Sequence, residues 1–557
     1  MLDEAAIAEA NWLAGGQAAL MRQWRIGAAA LAMAGVVGCA SGTDLHGAVG
    51  AAARIKADIA WLADDAREGR EAGTPGYEAA ADYVAKEFKA AGLAPGAGGE
   101  WRQTVPLRAS TRVLDAARLT LAGQGGEETL EHLKDYIIGR SSAASFEAAG
   151  GLVYAGYGVT APTLGYDDYA GLDVAGKIVI AFAGAPRAFP AEIGAYFSDT
   201  DSKLKIAAAK GAVGFISLQS RASSFSWSRA VQFAGAPSMS WARGAAAPDA
   251  PKSIRATAAL NESGAQKLFA GEAMDFFALR TAEAAAGAPK GFALKKSARL
   301  AGATTFEDGK SDNIIGVIEG ADPALKHEVI LLTAHLDHIG LDKGGKPGDD
   351  LINNGALDNA AGVAVLIEAA TMFKRSRKAP RRTIAFAALT AEEKGLVGSD
   401  YLAQNPAFKD KRVVANVNLD LPVLLYDFTD VVAFGAERST IGPVVAEAAA
   451  SLGLGLSPDP IPEEGIFTRS DHYSFVKQGV PSVFLIIGFG NGGEKIFRDF
   501  LATHYHSPTD DLALPIRYDQ AARFTDLNYR IARALADADA APAWNEGDFF
   551  GETFGKR

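Results

Sequence analysis

Two runs of sequence, VILLTAHLDHIG at residues 329–340 and NNGALDNAAG at residues 353–362, decide the fold of this chain. The first run opens with the apolar stretch Val329 to Thr333, which is typical of a strand buried on both faces of a sheet. A helical pattern with one apolar face follows at residues 362–373. A buried strand that leads into an amphipathic helix is the repeating unit of an α/β fold.

The same alternation continues along the C-terminal half of the chain. Further strands are predicted at residues 313–318, 382–389, 413–419 and 481–487, and further helices at residues 441–452 and 518–536. The sequence therefore predicts an α/β fold class, with an open, mostly parallel, doubly wound sheet and helices on both faces.

Composition limits the possible classes of protein. The chain has 557 residues, which is too long for one compact core, so at least two domains are expected. It is 48% hydrophobic and 22% charged, as globular proteins are. The net charge of −11 argues against nucleic acid as a partner.

The single cysteine, Cys39, lies in a predicted export signal. Residues 21–25 are a basic segment, residues 26–37 are an apolar segment too short to cross a bilayer, and Val36 to Cys39 resembles a bacterial lipobox. We expect Cys39 to carry a lipid, the protein to be a bacterial lipoprotein anchored in the outer membrane and facing the periplasm, and translation to start at Met21 rather than Met1. A buried core cysteine is the alternative interpretation.

Histidine and carboxylate side chains cluster where the predicted strands end. His335 and Asp337 follow the strand that begins at Val329, the pair Glu392 and Glu393 follows the next one, and Asp420 follows a third. In an open α/β sheet the carboxyl ends of the strands form the usual site for ligands. Each residue alone has an ordinary explanation, as a surface charge or a helix cap, but their coincidence at one edge predicts a metal site.

The loops complete the set of candidate ligands, and the charges suit two ions. Asp358 and His506 lie in loops near the same edge. Three carboxylates, Asp358, Glu393 and Asp420, leave one positive charge when two Zn²⁺ ions bind, and a bound hydroxide neutralises it. One ion would leave an excess of carboxylate, so a two-metal site with nitrogen and oxygen ligands is predicted. Glu392 then has no metal to bind and is the natural general base.

Taken together, the runs AHLDH, GALDNAAG, TAEEKGLVGS, VNLD, RSDHYSF and YHSPTD resemble the di-zinc aminopeptidase family, which includes aminopeptidase Y, bacterial leucyl aminopeptidases and glutamate carboxypeptidase. The resemblance covers residues of about 52–140 and 285–540. Between them, VYAGYGVTAP, YDDYAGLDVAGKIVI and KGAVGFISL are similar to the protease-associated domain that many members carry as an insertion.

The resemblance implies a role for each candidate. One zinc ion would be held by His335 and Asp420, and the other by Glu393 and His506, with Asp358 bridging the two and followed by a cis peptide bond.

Other residues would support the reaction. Glu392 would act as base and then acid, and Tyr505 would stabilise the developing oxyanion. Asp337 would orient His335, because both side chains face the same way on a strand and its carboxylate can hold the far ring nitrogen. Arg469, Phe467 and Tyr473 are candidates for the substrate pocket.

The domain boundaries follow from these assignments. Residues 1–44 hold the uncertain start, the signal and a tether, residues 45–143 and 285–545 form a discontinuous zinc peptidase domain, residues 144–284 form a β-rich protease-associated domain, and residues 546–557 are a C-terminal tail. Asp167, Asp168 and Asp173 are interpreted as loop carboxylates rather than as a calcium site, because they lack EF-hand spacing.

The function expected from the sequence is that of a zinc metallopeptidase, an aminopeptidase that hydrolyses the N-terminal bond of a peptide. A carboxypeptidase or dipeptidase on the same fold is the first alternative. A glutaminyl-cyclase-like transferase uses one metal, so the five ligands argue against it. A non-catalytic lipoprotein that binds peptides is the remaining alternative, and the presence of Glu392 beside the ligands argues against that one.

Overall fold

The described residues form two large β-sheets that share one long strand, together with a separate two-stranded sheet. The computed structural model describes residues 45–220, 226–242, 251, 253–342, 344, 348–376 and 378–555, so the predicted signal and Cys39 lie outside the described residues. The strands are β1 (Ala94–Pro95), β2 (Arg102–Arg112), β3 (Arg118–Gly123), β4 (Gly126–Thr129), β5 (Tyr136–Ile138), β6 (Ser145–Tyr154), β7 (Thr160–Ala161), β8 (Tyr166–Asp167), β9 (Ile178–Phe182), β10 (Gly214–Leu218), β11 (Ser238–Trp241), β12 (Ala256–Leu260), β13 (Phe292–Ile318), β14 (Glu328–His335), β15 (Thr383–Leu389), β16 (Arg412–Leu419), β17 (Asp430–Phe434), β18 (Gly455–Ser457) and β19 (Ser482–Ile487).

Helices connect and cover these strands. They are α1 (Leu45–Leu62), α2 (Pro75–Ala90), α3 (Ala191–Ser198), α4 (Thr200–Ala209), α5 (Trp227–Gln232), α6 (Glu262–Phe269), α7 (Phe276–Ala286), α8 (Ala361–Arg375), α9 (Val397–Gln404), α10 (Ile441–Ser451), α11 (His472–Val476), α12 (Gly493–Thr503), α13 (Tyr518–Asp537) and α14 (Phe549–Phe554).

The first sheet has a parallel centre. Its four central strands run in the order β15–β14–β16–β19, all parallel, and β13 and β17 flank them in antiparallel orientation. Every residue of β14 is buried. Ile330 and Leu332 pack into one apolar cluster with α2, α8 and α13, while Val329 and Leu331 pack into another with α9 and α11. Both faces of the sheet are therefore covered, which confirms the predicted doubly wound α/β architecture.

The helix behind β14 combines length with apolar composition. Residues Ala356–Arg375 are long and apolar enough to cross a membrane by length and composition, and 89% of that window is buried inside the protein. Its neighbours are the core helices α2 and α13 and the central strands. This stretch is therefore explained as a core helix of an α/β sheet.

The second sheet begins earlier and ends later than the predicted insertion. It runs in the order β4–β3–β13–β6–β9–β10–β12–β5, and the neighbours β6, β9, β10 and β12 are parallel. β3, β4 and β5 precede residue 144, and β13 follows residue 284. The predicted boundaries therefore cut through this sheet, because β13 pairs with β6 over its first half and with β2 and β15 over its second.

The segment predicted as a C-terminal tail packs against the body of the protein. α14 places Phe550 in the core with no exposure, where its ring contacts Phe467 and Tyr473. The tail prediction is wrong for this segment, because the apolar face of the run DFFGETF finds a partner that is distant in sequence.

Candidate metal centre

The polar residues predicted as ligands meet at the carboxyl edge of the first sheet. His335 ends β14, Asp420 directly follows β16, and Glu393 lies in the turn after β15. Asp358 precedes α8, and His506 follows α12. The five predicted ligands are thus brought to one site, which is the position that the parallel topology favours for ligands.

His335 forms one group of close contacts. Its Nε2 lies 3.0 Å from Oδ1 of Asp420 and 3.2 Å from Oδ1 of Asp358. All three residues are buried, and their ligand atoms lie within 4.8 Å of one another. Three buried donors at this spacing can converge on a single metal ion.

His506 forms a second group around the other side of Asp358. Its Nε2 lies 3.1 Å from Oε2 of Glu393 and 3.3 Å from Oδ2 of Asp358. The two carboxylate oxygens of Asp358 therefore face different histidines, His335 and His506. A carboxylate shared in this way is the feature that a bridged two-metal site requires.

His338 belongs to the site and was missed as a functional residue by the sequence analysis. It is fully buried, and its Nδ1 lies 2.7 Å from Oε1 of Glu393. Its Nε2 has no hydrogen-bond partner among the described residues. The signal was present, because His338 ends the run AHLDH, but its contact with Glu393 joins two strand ends that are distant in sequence.

The electrostatics of the site call for added positive charge. Burial lowers the pKa of His335, but the charges of Asp420 and Glu392 outweigh it and raise that pKa well above its usual value. Hydrogen bonds to Asp358 and Glu393 likewise outweigh burial and raise the pKa of His506 to about 10. The carboxylates thus favour positive charge at this site, and divalent cations can supply it. The donor set contains nitrogen and oxygen without sulfur, which fits Zn²⁺, Mn²⁺ or Co²⁺.

Asp337 makes a different contact from the predicted one. The far nitrogen of His335, Nδ1, lies 3.0 Å from the backbone carbonyl oxygen of Asp337 and not from its carboxylate. That carboxylate instead accepts hydrogen bonds from the backbone N–H groups of Glu392 (3.0 Å) and Glu393 (3.3 Å). Asp337 therefore orients His335 through its main chain and fixes the Glu392–Glu393 turn through its side chain.

Asp510 repeats this arrangement on the other ligand loop. Its carboxylate oxygens accept hydrogen bonds from the backbone N–H groups of Leu357 and Asp358, each at 3.0 Å. Burial is the main reason why the pKa of Asp510 is raised to about 6. The peptide bond between Asp358 and Asn359 is cis, as the resemblance predicted. Asp510 was not singled out from the sequence, although it ends the quoted run YHSPTD.

A fully buried arginine lies beneath the two ligand loops. The guanidinium of Arg70 donates hydrogen bonds to four backbone carbonyls, those of Leu62, Leu336, Asn354 and Gly355, at 2.6–3.0 Å. Burial lowers its pKa to about 10. Arg70 therefore ties the end of β14 to the loop that carries Asp358.

Replacing Arg70 with methionine is expected to destabilise the fold. The four carbonyls would lose their donors, and the buried carboxylates nearby would lose a compensating charge. Loss of one partner from a buried charge network typically costs about 3–5 kcal/mol. The midpoint of urea unfolding measures this change. Arg498→Met is the matched control, because the exposed i,i+4 pair of Arg498 with Glu494 is worth less than about 1 kcal/mol. Equal midpoints for the two variants would contradict the prediction.

A cavity of about 260 Å³ opens beside the candidate ligands. Glu392, Tyr505 and Arg469 line it, with His335, Asp358 and Asp420 at its base. The Glu392 carboxylate lies within 4.8 Å of the ligand atoms of His335 and Glu393.

The remaining wall of this cavity is mostly apolar. It consists of Leu421, Ile466, Phe484, Ile486, Phe497 and Leu501. Above the ligands, the ring of Tyr505 stacks on His506 at a centroid distance of 3.9 Å. The cavity thus combines polar groups near the ligands with an apolar side.

Two of the predicted pocket residues lie elsewhere. Phe467 has no exposure and packs against His472, Tyr473 and Phe550, so the prediction that it walls this cavity is wrong. Tyr473 lines a neighbouring cleft that runs from Glu392 to α4. The reason is the packing of α14, whose aromatic face covers the loop that was expected to be open.

The region that contains this site is similar to a known family. Residues 313–532 match the model described as Peptidase family M28. Aminopeptidase NAALADL1 of Mus musculus is 32% identical over 118 residues, which is 20% of this chain and 14% of that protein. Leupeptin-inactivating enzyme 1 of Streptomyces exfoliatus is 30% identical over 176 residues, which is 30% of this chain and 34% of that enzyme. This chain therefore spans about a third or less of these curated relatives.

One solved structure matches this chain over most of its length. The aminopeptidase from Aneurinibacillus sp. strain AM-1 is 20% identical, with a TM-score of 0.48, over 88% of this chain and 95% of that one. The family match covers β14, β15, β16 and β19 and every residue that contributes to the ligand site. The part of this chain that is similar to Peptidase family M28 is thus residues 313–532.

Proposed function

We propose that the protein is a zinc-dependent exopeptidase with two metal ions, acting at the N-terminal bond of peptides. The observation that carries the proposal is the shared carboxylate of Asp358, with one oxygen 3.2 Å from His335 and the other 3.3 Å from His506. His335 and Asp420 would hold one ion and Glu393 and His506 the other.

The bound metal ions and the residues around them would have different roles in hydrolysis. Bound zinc ions supply Lewis acidity toward the scissile carbonyl and toward water. Glu392 then accepts a proton from the attacking water and returns it to the leaving amine, a role that needs a carboxylate next to the site but free of its hydrogen bonds. The hydroxyl of Tyr505 donates to the oxygen on which charge develops.

The charge of the cavity favours the amino end of a substrate. Glu392 lines it without a metal ion to bind, and its carboxylate attracts an ammonium group. The apolar side of the cavity, which includes Ile486, Phe497 and Leu501, would receive the first side chain of the peptide. An N-terminal residue with an apolar side chain satisfies both parts of the cavity.

A carboxypeptidase is the second candidate, and one observation favours it. Arg469 lines the same cavity and could bind the terminal carboxylate of a substrate. Its guanidinium is bound to Glu464 at 2.9 Å, so that charge is already compensated. We therefore rank this candidate below the aminopeptidase.

The test is hydrolysis of a panel of aminoacyl-p-nitroanilides by the purified chain. We expect release of p-nitroaniline from the leucine and phenylalanine derivatives, its loss on chelation, and its return on addition of Zn²⁺. Peptides acetylated at the amino end and peptides amidated at the carboxyl end are compared in parallel. Cleavage of acetylated but not amidated peptides would transfer the assignment to a carboxypeptidase, and no cleavage of any of them would remove the exopeptidase.

The setting of the enzyme is part of the same proposal. The similarity of VYAGYGVTAP and KGAVGFISL to protease-associated domains supports an inserted domain of that kind around residues 144–284. The lipobox at Val36 to Cys39 supports a lipoprotein anchored in the outer membrane. Mass spectrometry of the protein purified from membranes tests the anchor. A diacylglyceryl group on Cys39 would support it, and an unmodified Cys39 would contradict it.

A further inference from the structure

The second sheet also has an edge at which the carboxyl ends of parallel strands meet, separate from the metal centre. β6, β9 and β10 run parallel, so their carboxyl ends at Tyr154, Phe182 and Leu218 meet on one side. A cavity of about 270 Å³ lies at this edge, lined in part by Tyr157, Gly184 and Ser220. In parallel α/β sheets this edge is where ligands bind, so the polar groups around the cavity are of interest.

Glu283, on α7, is the unusual member of the lining. It is 1% exposed. Its Oε1 accepts a hydrogen bond from the hydroxyl of Tyr157 at 2.9 Å. Its Oε2 has no hydrogen-bond partner among the described residues. A buried carboxylate is costly to leave with an empty acceptor, so this residue needs a donor that the described part of the chain does not supply.

A buried cation at the same edge already has its acceptors. The ammonium of Lys203, 3% exposed, donates to the carbonyls of Tyr157 (2.7 Å), Phe182 (2.8 Å) and Gly184 (2.5 Å). Three acceptors use all three of its hydrogens. Lys203 therefore holds the loops of this edge in place and leaves Glu283 without its donor.

The opposite charge in the lining comes from Arg187. Arg187 lines this cavity and also an adjoining one of about 380 Å³ that includes Glu464 and Arg469. Those two residues line the metal-site cavity as well. The pocket at the second sheet thus carries one group for a cation and one for an anion.

We propose that this pocket binds a free α-amino acid. The ammonium group of the ligand would donate to Oε2 of Glu283, and its carboxylate would accept from Arg187 and the hydroxyl of Ser220. A zwitterion of this size satisfies both charges at once. An exopeptidase would release such a molecule, but the binding site does not depend on that activity.

The experiment is calorimetric titration of the full metal-free chain with L-leucine, with L-leucinamide and N-acetyl-L-leucine as probes that lack one charge each. We expect L-leucine to bind and both single-charge probes to bind at least tenfold more weakly. Glu283→Gln and Arg187→Gln should each weaken L-leucine at least tenfold. Glu147→Gln, an exposed carboxylate on β6, is the matched control and should bind as the parent does.

The outcomes separate cleanly. Arg187 lies in a loop, so its variant keeps the test valid if Glu283→Gln changes the fold. L-leucine binding that is equal in both variants and in the parent would assign the ligand to the metal-site cavity and overturn the proposal. An L-leucinamide affinity equal to that of L-leucine would also overturn the proposal, because the ligand carboxylate would then contribute nothing to binding. A failed peptidase assay leaves this result untouched, because the titration requires no catalysis.

Discussion

Glu392→Gln is expected to keep its zinc and to lose about 10²–10⁴-fold in kcat, the range that general acid–base catalysis contributes. Glutamine has the size of glutamate but cannot accept a proton from water or return one to the leaving amine. Glu392 lines the cavity and does not belong to either of the two groups that meet at Asp358, so its replacement should not remove a ligand. Steady-state kinetics together with metal analysis of the same sample measure both effects.

The adjacent residue gives the matched control. Glu393 differs from Glu392 by one position, but its Oε2 lies 3.1 Å from His506 and its Oε1 lies 2.7 Å from His338. Glu393→Gln should therefore lose metal as well as activity. If Glu392→Gln retained full activity, or if it lost metal in the way that Glu393→Gln does, the assignment of Glu392 as the proton carrier would be wrong.

The elements that the sequence predicts well are those that a short run of residues decides. The run Val329 to Thr333 is apolar without alternation, and β14 is buried on both faces as expected. His335 and Asp420 follow predicted strands directly, so the parallel topology brings them to one edge without further information. The ligand set was accessible from sequence for this reason.

The contacts that the sequence does not predict are those that join distant segments. Nothing near Arg70 indicates that it will donate to Asn354 and Gly355, more than 280 positions away. The carboxylate of Asp337 was expected on His335, but the turn after β15 offers it two backbone N–H groups instead. A carboxylate takes the donors that the folded backbone presents, and spacing along a strand does not reveal those donors.

The boundaries of the second sheet were missed for a related reason. β13 is 27 residues long, and it pairs with β6 at Ala301 and with β15 at Ile318. A division into consecutive domains assumes that each strand belongs to one sheet. A strand that serves two sheets leaves no linker for composition to mark, so the predicted limit at residue 144 lies between β5 and β6 of one sheet, and the limit at residue 284 lies in α7, ahead of the shared strand.

Asp358→Asn is expected to remove both metal ions, whereas Asp420→Asn should remove one. An asparagine side chain keeps the shape of aspartate but has a single acceptor oxygen, so it cannot face His335 and His506 with a ligand atom each. Asp420 contacts the His335 group alone through its Oδ1 at 3.0 Å. Changing a residue behind a ligand typically lowers the metal affinity about 10–100-fold. Changing the ligand itself should lower the metal affinity by more than that.

The measurement is zinc content per chain after dialysis, with thermal unfolding to verify that both variants fold. Two ions in the parent, one in Asp420→Asn and none in Asp358→Asn would establish Asp358 as the bridge. Equal loss in the two variants would instead indicate a single ion held by His335, Asp358 and Asp420. In that case Glu393 and His506 would be a hydrogen-bonded pair that supports the site, and the second oxygen of Asp358 would only accept a hydrogen bond from His506.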